Sequence, residues 1–63
     1  MCEANAYLIK SKDKDPELIM EAVDTVEPEA DGLKLVSIFG EQKFIKASVH
    51  SMSLVDHRVY LIE

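Results

Sequence analysis

Glu17 to Glu27 reads Glu-Leu-Ile-Met-Glu-Ala-Val-Asp-Thr-Val-Glu, "ELIMEAVDTVE", and whether it is strand or helix sets the fold class. Leu18, Met20 and Ala22 alternate with period two, as a half-buried strand requires. The pair Val23/Val26 adds a spacing of three, which a short helix also produces. The segment therefore fits a strand with a bend or one short helix. Pro28 and Asp31-Gly32 close it, and Asp-Gly between apolar runs is a hairpin signal.

The flanking segments favour strands. Ala4, Ala6 and Leu8 alternate with Asn5, Tyr7 and Ile9. Lys10 to Pro16, "KSKDKDP", is a polar turn. Leu33 to Phe39, "LKLVSIF", is β-rich, and Gly40-Glu41-Gln42 turns the chain. Lys43 to Met52 places Ile45, Ala47 and Val49 on one face. Ser53 to Asp56 turns again, and His57 to Ile62, "HRVYLI", is a last strand. With 17–27 as a strand, the chain has five. Closure removes exposed edges, so the expectation is an all-β domain over residues 1–63, a small five-stranded SH3-like or Sm-like barrel.

Sixty-three residues make one domain. A chain this short buries only about 60% of the surface it exposes when unfolded. Its single cysteine excludes an internal disulfide, leaving a metal or a second subunit as reinforcement. Several strands are apolar on both faces: Tyr7 and Ile9 oppose Ala6 and Leu8, Val36 and Ile38 oppose Leu35 and Phe39, Tyr60 and Ile62 oppose Val59 and Leu61. A small barrel hides one face of each strand, so the expectation is a symmetric homodimer.

A net charge of −5 argues against nucleic acid, whose phosphates call for a basic patch, and against anionic lipid. No apolar run approaches the ~20 residues of a membrane span, and the acidic third residue does not suit a secretory leader. The expected location is cytoplasmic, where a free thiol stays reduced.

Most catalytic patterns are missing. The two glycines build no phosphate loop, and neither H-E-x-x-H nor C-x-x-C occurs. Ser51, Ser53, Asp56 and His57 are close in sequence, but a triad needs an oriented geometry; a polar turn with a surface histidine is the simpler reading. His50 is expected on a solvent-facing edge. Met1, Met20 and Met52 lack metal-binding spacing and suit gap filling. The expectation is a protein that is not an enzyme.

Cys2 stands apart because of its backbone. Its thiolate and its own nitrogen close a five-membered chelate ring on a metal ion. With Met1 removed that nitrogen is an amine; with Met1 retained it is an amide, and the Met1 amine becomes a further donor. Two N-termini meeting across a dimer would offer two N and two S. A tetragonal N/S plane suits nickel(II) or copper(II), and tetrahedral S₂N₂ suits zinc. The competing reading is a chance free cysteine.

The words "MCEANAYLI" at 1–9, "IFGEQKFIKA" at 38–47 and "SLVDHRVYL" at 53–61 resemble the CooT family of small nickel-binding proteins, first catalogued as predicted RNA-binding proteins. The resemblance spans nearly the whole chain, and Met1-Cys2 is its most informative part. It implies a β-barrel homodimer, nickel held through Cys2 near the dimer interface, and service to nickel insertion into carbon monoxide dehydrogenase or another nickel enzyme with its maturation factors. Two alternatives remain at this stage: a metal-independent adaptor that binds another protein through a strand edge or apolar face, and an Sm-like RNA binder. Four Phe and Tyr side chains and no basic patch give the second little support.

Overall fold

The computed structural model describes residues 4–11 and 13–63. Six strands form one sheet: β1 (Ala4–Ile9), β2 (Glu17–Glu29), β3 (Gly32–Ser37), β4 (Gln42–Ile45), β5 (Ser48–Ser53) and β6 (Arg58–Ile62), in the order β4-β3-β2-β1-β6-β5. Among the described residues there is no helix. The all-β expectation holds, and the five-stranded closed barrel is corrected on two counts.

The first correction is the strand count. Residues 43–52, expected as one strand, are two. The Ala47 amide turns back onto the Ile45 carbonyl at 2.9 Å, a three-residue turn that ends β4 before the chain resumes as β5. Such a turn needs neither glycine nor proline, so Lys46-Ala47 carries no punctuation that a sequence reading can use.

The second concerns closure. No ladder joins β4 to β5, and each is an edge of the open sheet. Yet only two residues connect them, so Ile45 and Ser48 lie at most about 11 Å apart. In a flat sheet of this order the two edges would stand about 24 Å apart. The sheet must therefore curl until its edges approach at this corner. The β2–β3 hairpin accordingly shares a surface groove with Lys46–Ser48, Ile62 and Glu63.

β2 makes the curl possible. Its first part pairs with β1 (Ala6 with Met20, Tyr7 with Leu18) and its second part with β3 (Val26 with Leu35, Pro28 with Leu33). Between them Ala22 takes φ +55°, a left-handed conformation that costs a non-glycine residue about 1–2 kcal/mol. Two bonds hold it there. The Ala22 amide donates to Asn5 Oδ1 at 3.2 Å, and the Ala22 carbonyl accepts from the Ile38 amide at 2.9 Å. The register slips on both sides of the bend, against β1 and again between Val23 and Thr25. Each slip adds a residue to one strand, so Met20, Val23 and Val26 all pack at the core with a spacing of three. The helix-like pattern of 17–27 is what bulges make of a strand's period of two.

The core is Ala6, Leu8, Met20, Val23, Leu33, Leu35, Val59 and Leu61, with Leu35 and Leu61 fully buried. Alternation is clean on β1 and β3, where Ala6, Leu8, Leu33, Leu35 and Ser37 point inward. Ser37, the buried polar residue, is satisfied: its Oγ accepts from the amides of Phe39 and Glu41. Gly40 at φ +86° completes that turn. Gly32, by contrast, needs no unusual φ. A Cβ there would stand 2.2 Å from the Ile45 carbonyl oxygen, so this glycine is required by the close passage of the β4 end rather than by the hairpin. The hairpin loop itself is Ala30-Asp31, one residue earlier than expected, with Glu29 paired to Gly32.

The second apolar face has its own packing. Tyr7 and Tyr60, neighbours across β1 and β6, stack with ring centroids 5.7 Å apart, and the Arg58 guanidinium lies 5.4 Å from the Tyr7 ring centre. Tyr7, Ile9, Val36 and Tyr60 are half-buried, whereas Ile38 and Ile62 are exposed.

Asn5→Ala should cost about 1–2 kcal/mol, because a part-buried amide loses its acceptor at the bend. Gly32→Ala should cost more, since backbone atoms and not a flexible side chain stand in the way. Urea unfolding followed by circular dichroism measures both, and an Asn5→Ala midpoint equal to wild type would remove the side-chain clamp from this account.

Candidate functional site

β1 and β6 run parallel as neighbours in the sheet, with Asn5 opposite Arg58 and Ile9 opposite Ile62. The start of β1 and the turn that precedes β6 therefore lie at one end of the molecule. The Asn5 amide donates to the His57 carbonyl at 2.8 Å and ties the two together.

That turn is Leu54-Val55-Asp56-His57. His57 takes φ +56°, a conformation more accessible to His, Asn and Asp than to most residues. Ser53 Oγ donates to Asp56 Oδ2 at 3.1 Å and braces the loop. The expected turn at 53–56 is present. Polar residues shape it, yet Leu54 and Val55 at its tip are 81% and 89% exposed.

Beside the turn lies a cavity of about 230 Å³, lined by Ala4, Met52, Ser53, Leu54, His57, Arg58 and Val59. Its apolar wall follows from the register of β5 and β6. Val49 pairs with Leu61 and Met52 with Val59, and paired residues project to the same face of a sheet. Leu61 and Val59 are buried, but Val49 and Met52 are 41% and 59% exposed. β5 is the sheet edge, and among the described residues nothing covers this part of its inner face. The slip at His50 sets Val49 and Met52 three apart on one face, a spacing that alternation with Ile45, Ala47 and Val49 does not show.

The sequence-selected residues separate. Cys2 and Met1 lie outside the described residues, with Cys2 joined covalently two positions before Ala4. His57 lines the cavity. His50 stands on exposed β5, its Nδ1 3.0 Å from Ser51 Oγ. Among Ser51, Ser53, Asp56 and His57, the side-chain bond present is Ser53 to Asp56, with no serine–histidine–aspartate relay among them. Among the described residues no group of three or more His, Cys, Asp or Glu side chains is placed to hold a metal. Met20 is in the core, as expected of a gap filler.

Near the cavity one titrating group is displaced. Arg58 is raised above the ordinary arginine value, first by its hydrogen bond to the Tyr60 hydroxyl, 3.4 Å away. It remains a cation at every physiological pH and places a positive charge on the cavity wall.

Comparison with known proteins agrees with this architecture. A family model described as "CO dehydrogenase accessory protein CooT" matches residues 1–62. A crystal structure of a protein from Carboxydothermus hydrogenoformans that carries the CooT name superposes with a TM-score of 0.88; it is 45% identical and covers 98% of this chain and 97% of that one. No curated protein matches the chain. No helix among the described residues is long and apolar enough to cross a membrane.

The open inner face of β5 makes Met52 a sensitive probe of this region. Met52→Glu should leave the monomer fold intact, since the side chain is more than half exposed, and should abolish binding of an apolar dye to the cavity wall. Anilinonaphthalene sulfonate fluorescence checks it, and undiminished dye binding would place the accessible apolar surface elsewhere.

Proposed function

This chain belongs to the CooT family of CO dehydrogenase accessory proteins, and we propose that it binds nickel(II) through Cys2 and acts as a cytoplasmic homodimer serving nickel insertion into CO dehydrogenase or another nickel enzyme. It is a carrier and not a catalyst.

The observation that carries this reading is the parallel pairing of β1 and β6. It sets the strand that follows the only cysteine against the end of the molecule where core-facing apolar residues lack cover. Two residues span at most about 7 Å, so Cys2 is within short reach of Ala4, which lines the cavity. A second copy packed over Val49, Met52 and Leu54 would complete the core of each β5 and bring two N-termini together. Two cysteine residues would then supply two thiolates and two backbone nitrogens, the donor set that suits nickel(II) in a plane. Burial of such a patch is also the reinforcement that a chain of this length needs.

His57 lies on the cavity wall, and its carbonyl accepts from the Asn5 amide at the start of β1. In this proposal the Cys2 donors hold the metal and the imidazoles of His50 and His57 are dispensable. The metal displaces protons from thiol and amine, whose ordinary pKa values are about 8.5 and about 7.7–8.0. Nickel affinity therefore falls as pH drops below neutral.

Cys2→Ser should abolish tight nickel binding while leaving the circular dichroism unchanged, because a hydroxyl is a harder and far less acidic donor. A nickel titration followed by sulfur-to-metal absorbance in the near ultraviolet decides it; equal binding in a folded mutant sinks the proposal. His50→Ala and His57→Ala should retain most of the affinity, and a tenfold loss in either would bring that imidazole to the metal. Sedimentation at micromolar concentration should give about twice the chain mass for wild type and a monomer for Met52→Glu.

A further inference from the structure

A second surface, away from the start of β1, is unfinished in a different way. β3 joins β2 only from Val23 onward, while β1 pairs with Glu17 to Met20. Leu18 to Met20 thus have a ladder on one side and no strand on the other, and Glu21 follows in the register slip. Beside this internal edge lies a cleft of about 340 Å³, lined by Leu18, Ile19, Met20, Glu21, Ser37, Phe39 and Glu41. Phe39 is 82% exposed and Leu18 44% exposed, which gives the cleft an apolar wall on each side. Glu21 and Glu41 are exposed carboxylates.

The chain already shows what this edge accepts. Lys43 Nζ reaches across from β4 and donates to the Ile19 carbonyl at 3.2 Å. A free strand edge is a template for another strand, and here it is capped by one exposed side chain rather than by a strand. A lysine cap is easily displaced, because it contributes one exposed hydrogen bond, worth about 0.5–1.5 kcal/mol.

We propose that Leu18–Glu21 and the cleft beside it bind an extended segment of another protein that carries lysine or arginine between apolar residues. The segment adds as a strand to the free edge and takes over the Ile19 carbonyl. One of its apolar side chains lies between Leu18 and Phe39, and its cationic side chain faces Glu21 and Glu41. Backbone pairing supplies affinity and the alternate side chains supply selectivity, as in other cases of strand addition. Charge favours the same partner, since the chain carries −5 and attracts cationic segments before contact. Nickel plays no part in this proposal, and its test is run metal-free.

The probes are the peptides acetyl-Val-Lys-Val-Arg-Val-amide and acetyl-Val-Glu-Val-Glu-Val-amide, titrated at low salt into the nitrogen-15-labelled full chain with a chelator present. The basic peptide should bind at least tenfold more tightly than the acidic one and shift the amides of residues 17–21 and 38–41. Phe39→Ser should weaken it about tenfold, and Glu21→Gln with Glu41→Gln should erase the preference for the basic peptide. Lys43→Ala should tighten binding severalfold by freeing the Ile19 carbonyl. All four positions are exposed, and the amide spectrum itself reports whether each variant is folded. Equal binding of both peptides, shifts confined to β5, or unchanged binding by folded Phe39→Ser would each overturn the proposal. So would a Lys43→Ala variant that self-associates and ignores the basic peptide, which would give this edge to a second copy.

Discussion

The bend at Ala22 is the constraint on which the rest depends. One alanine in a left-handed conformation lets a thirteen-residue strand serve two neighbours. Without the bend, β2 would run straight, and β3 and β4 would continue a flat sheet. β4 could not then reach β5 through two residues. The amide and carbonyl of Ala22 are held by Asn5 from β1 and Ile38 from beyond β3. Both halves of the sheet thus grip the strained residue, and the strain is offset by bonds that only the folded chain can make. Alanine suits the position because it is buried and has no branched Cβ to clash there.

From that geometry come two incomplete surfaces of opposite kinds. At β5 the side chains are aimed at a core that the monomer does not finish, so what is missing is apolar cover. Along Leu18–Glu21 the side chains have room and the backbone lacks a strand, so what is missing is hydrogen bonding. The first calls for shape and area, which a second copy supplies. The second calls for an extended polypeptide. Both follow from a six-stranded sheet that is curled without being closed, since curling brings strands near one another without pairing all of their edges.

The family assignment and the geometry bear on different questions. Family membership establishes an accessory protein of CO dehydrogenase. Geometry adds where such a protein is exposed and how its first strand is anchored. The parallel β1–β6 pair has a practical result: chain start and final strand share one end, and a ligand held near the start would be felt by the β5–β6 turn through the Asn5–His57 bond. The stacked tyrosines with Arg58 on the outer face stiffen that pair further.

Much of this protein is determined by sequence alone. Alternation in residues 4–9 and 33–37, the turns at 10–16 and 53–56, the acidic charge and the lone cysteine depend on local chemistry, and local chemistry is visible in a string of residues. The all-β class follows from them, while the family is legible only in the words at 1–9, 38–47 and 53–61 that resemble it. Folding alone sets the places where two distant segments meet. Met20, Val23 and Val26 look helical in sequence because bulges against β1 and β3 stretch a period of two into three. The break at Lys46-Ala47 uses a turn with no marker residue, so one expected strand became two and the closed barrel an open sheet. Gly32, a hairpin signal on paper, is small because the Ile45 carbonyl passes over it. Val49 and Met52 were not legible as a bare inner face, since exposure depends on whether a neighbouring strand covers them, and no residue carries that information by itself.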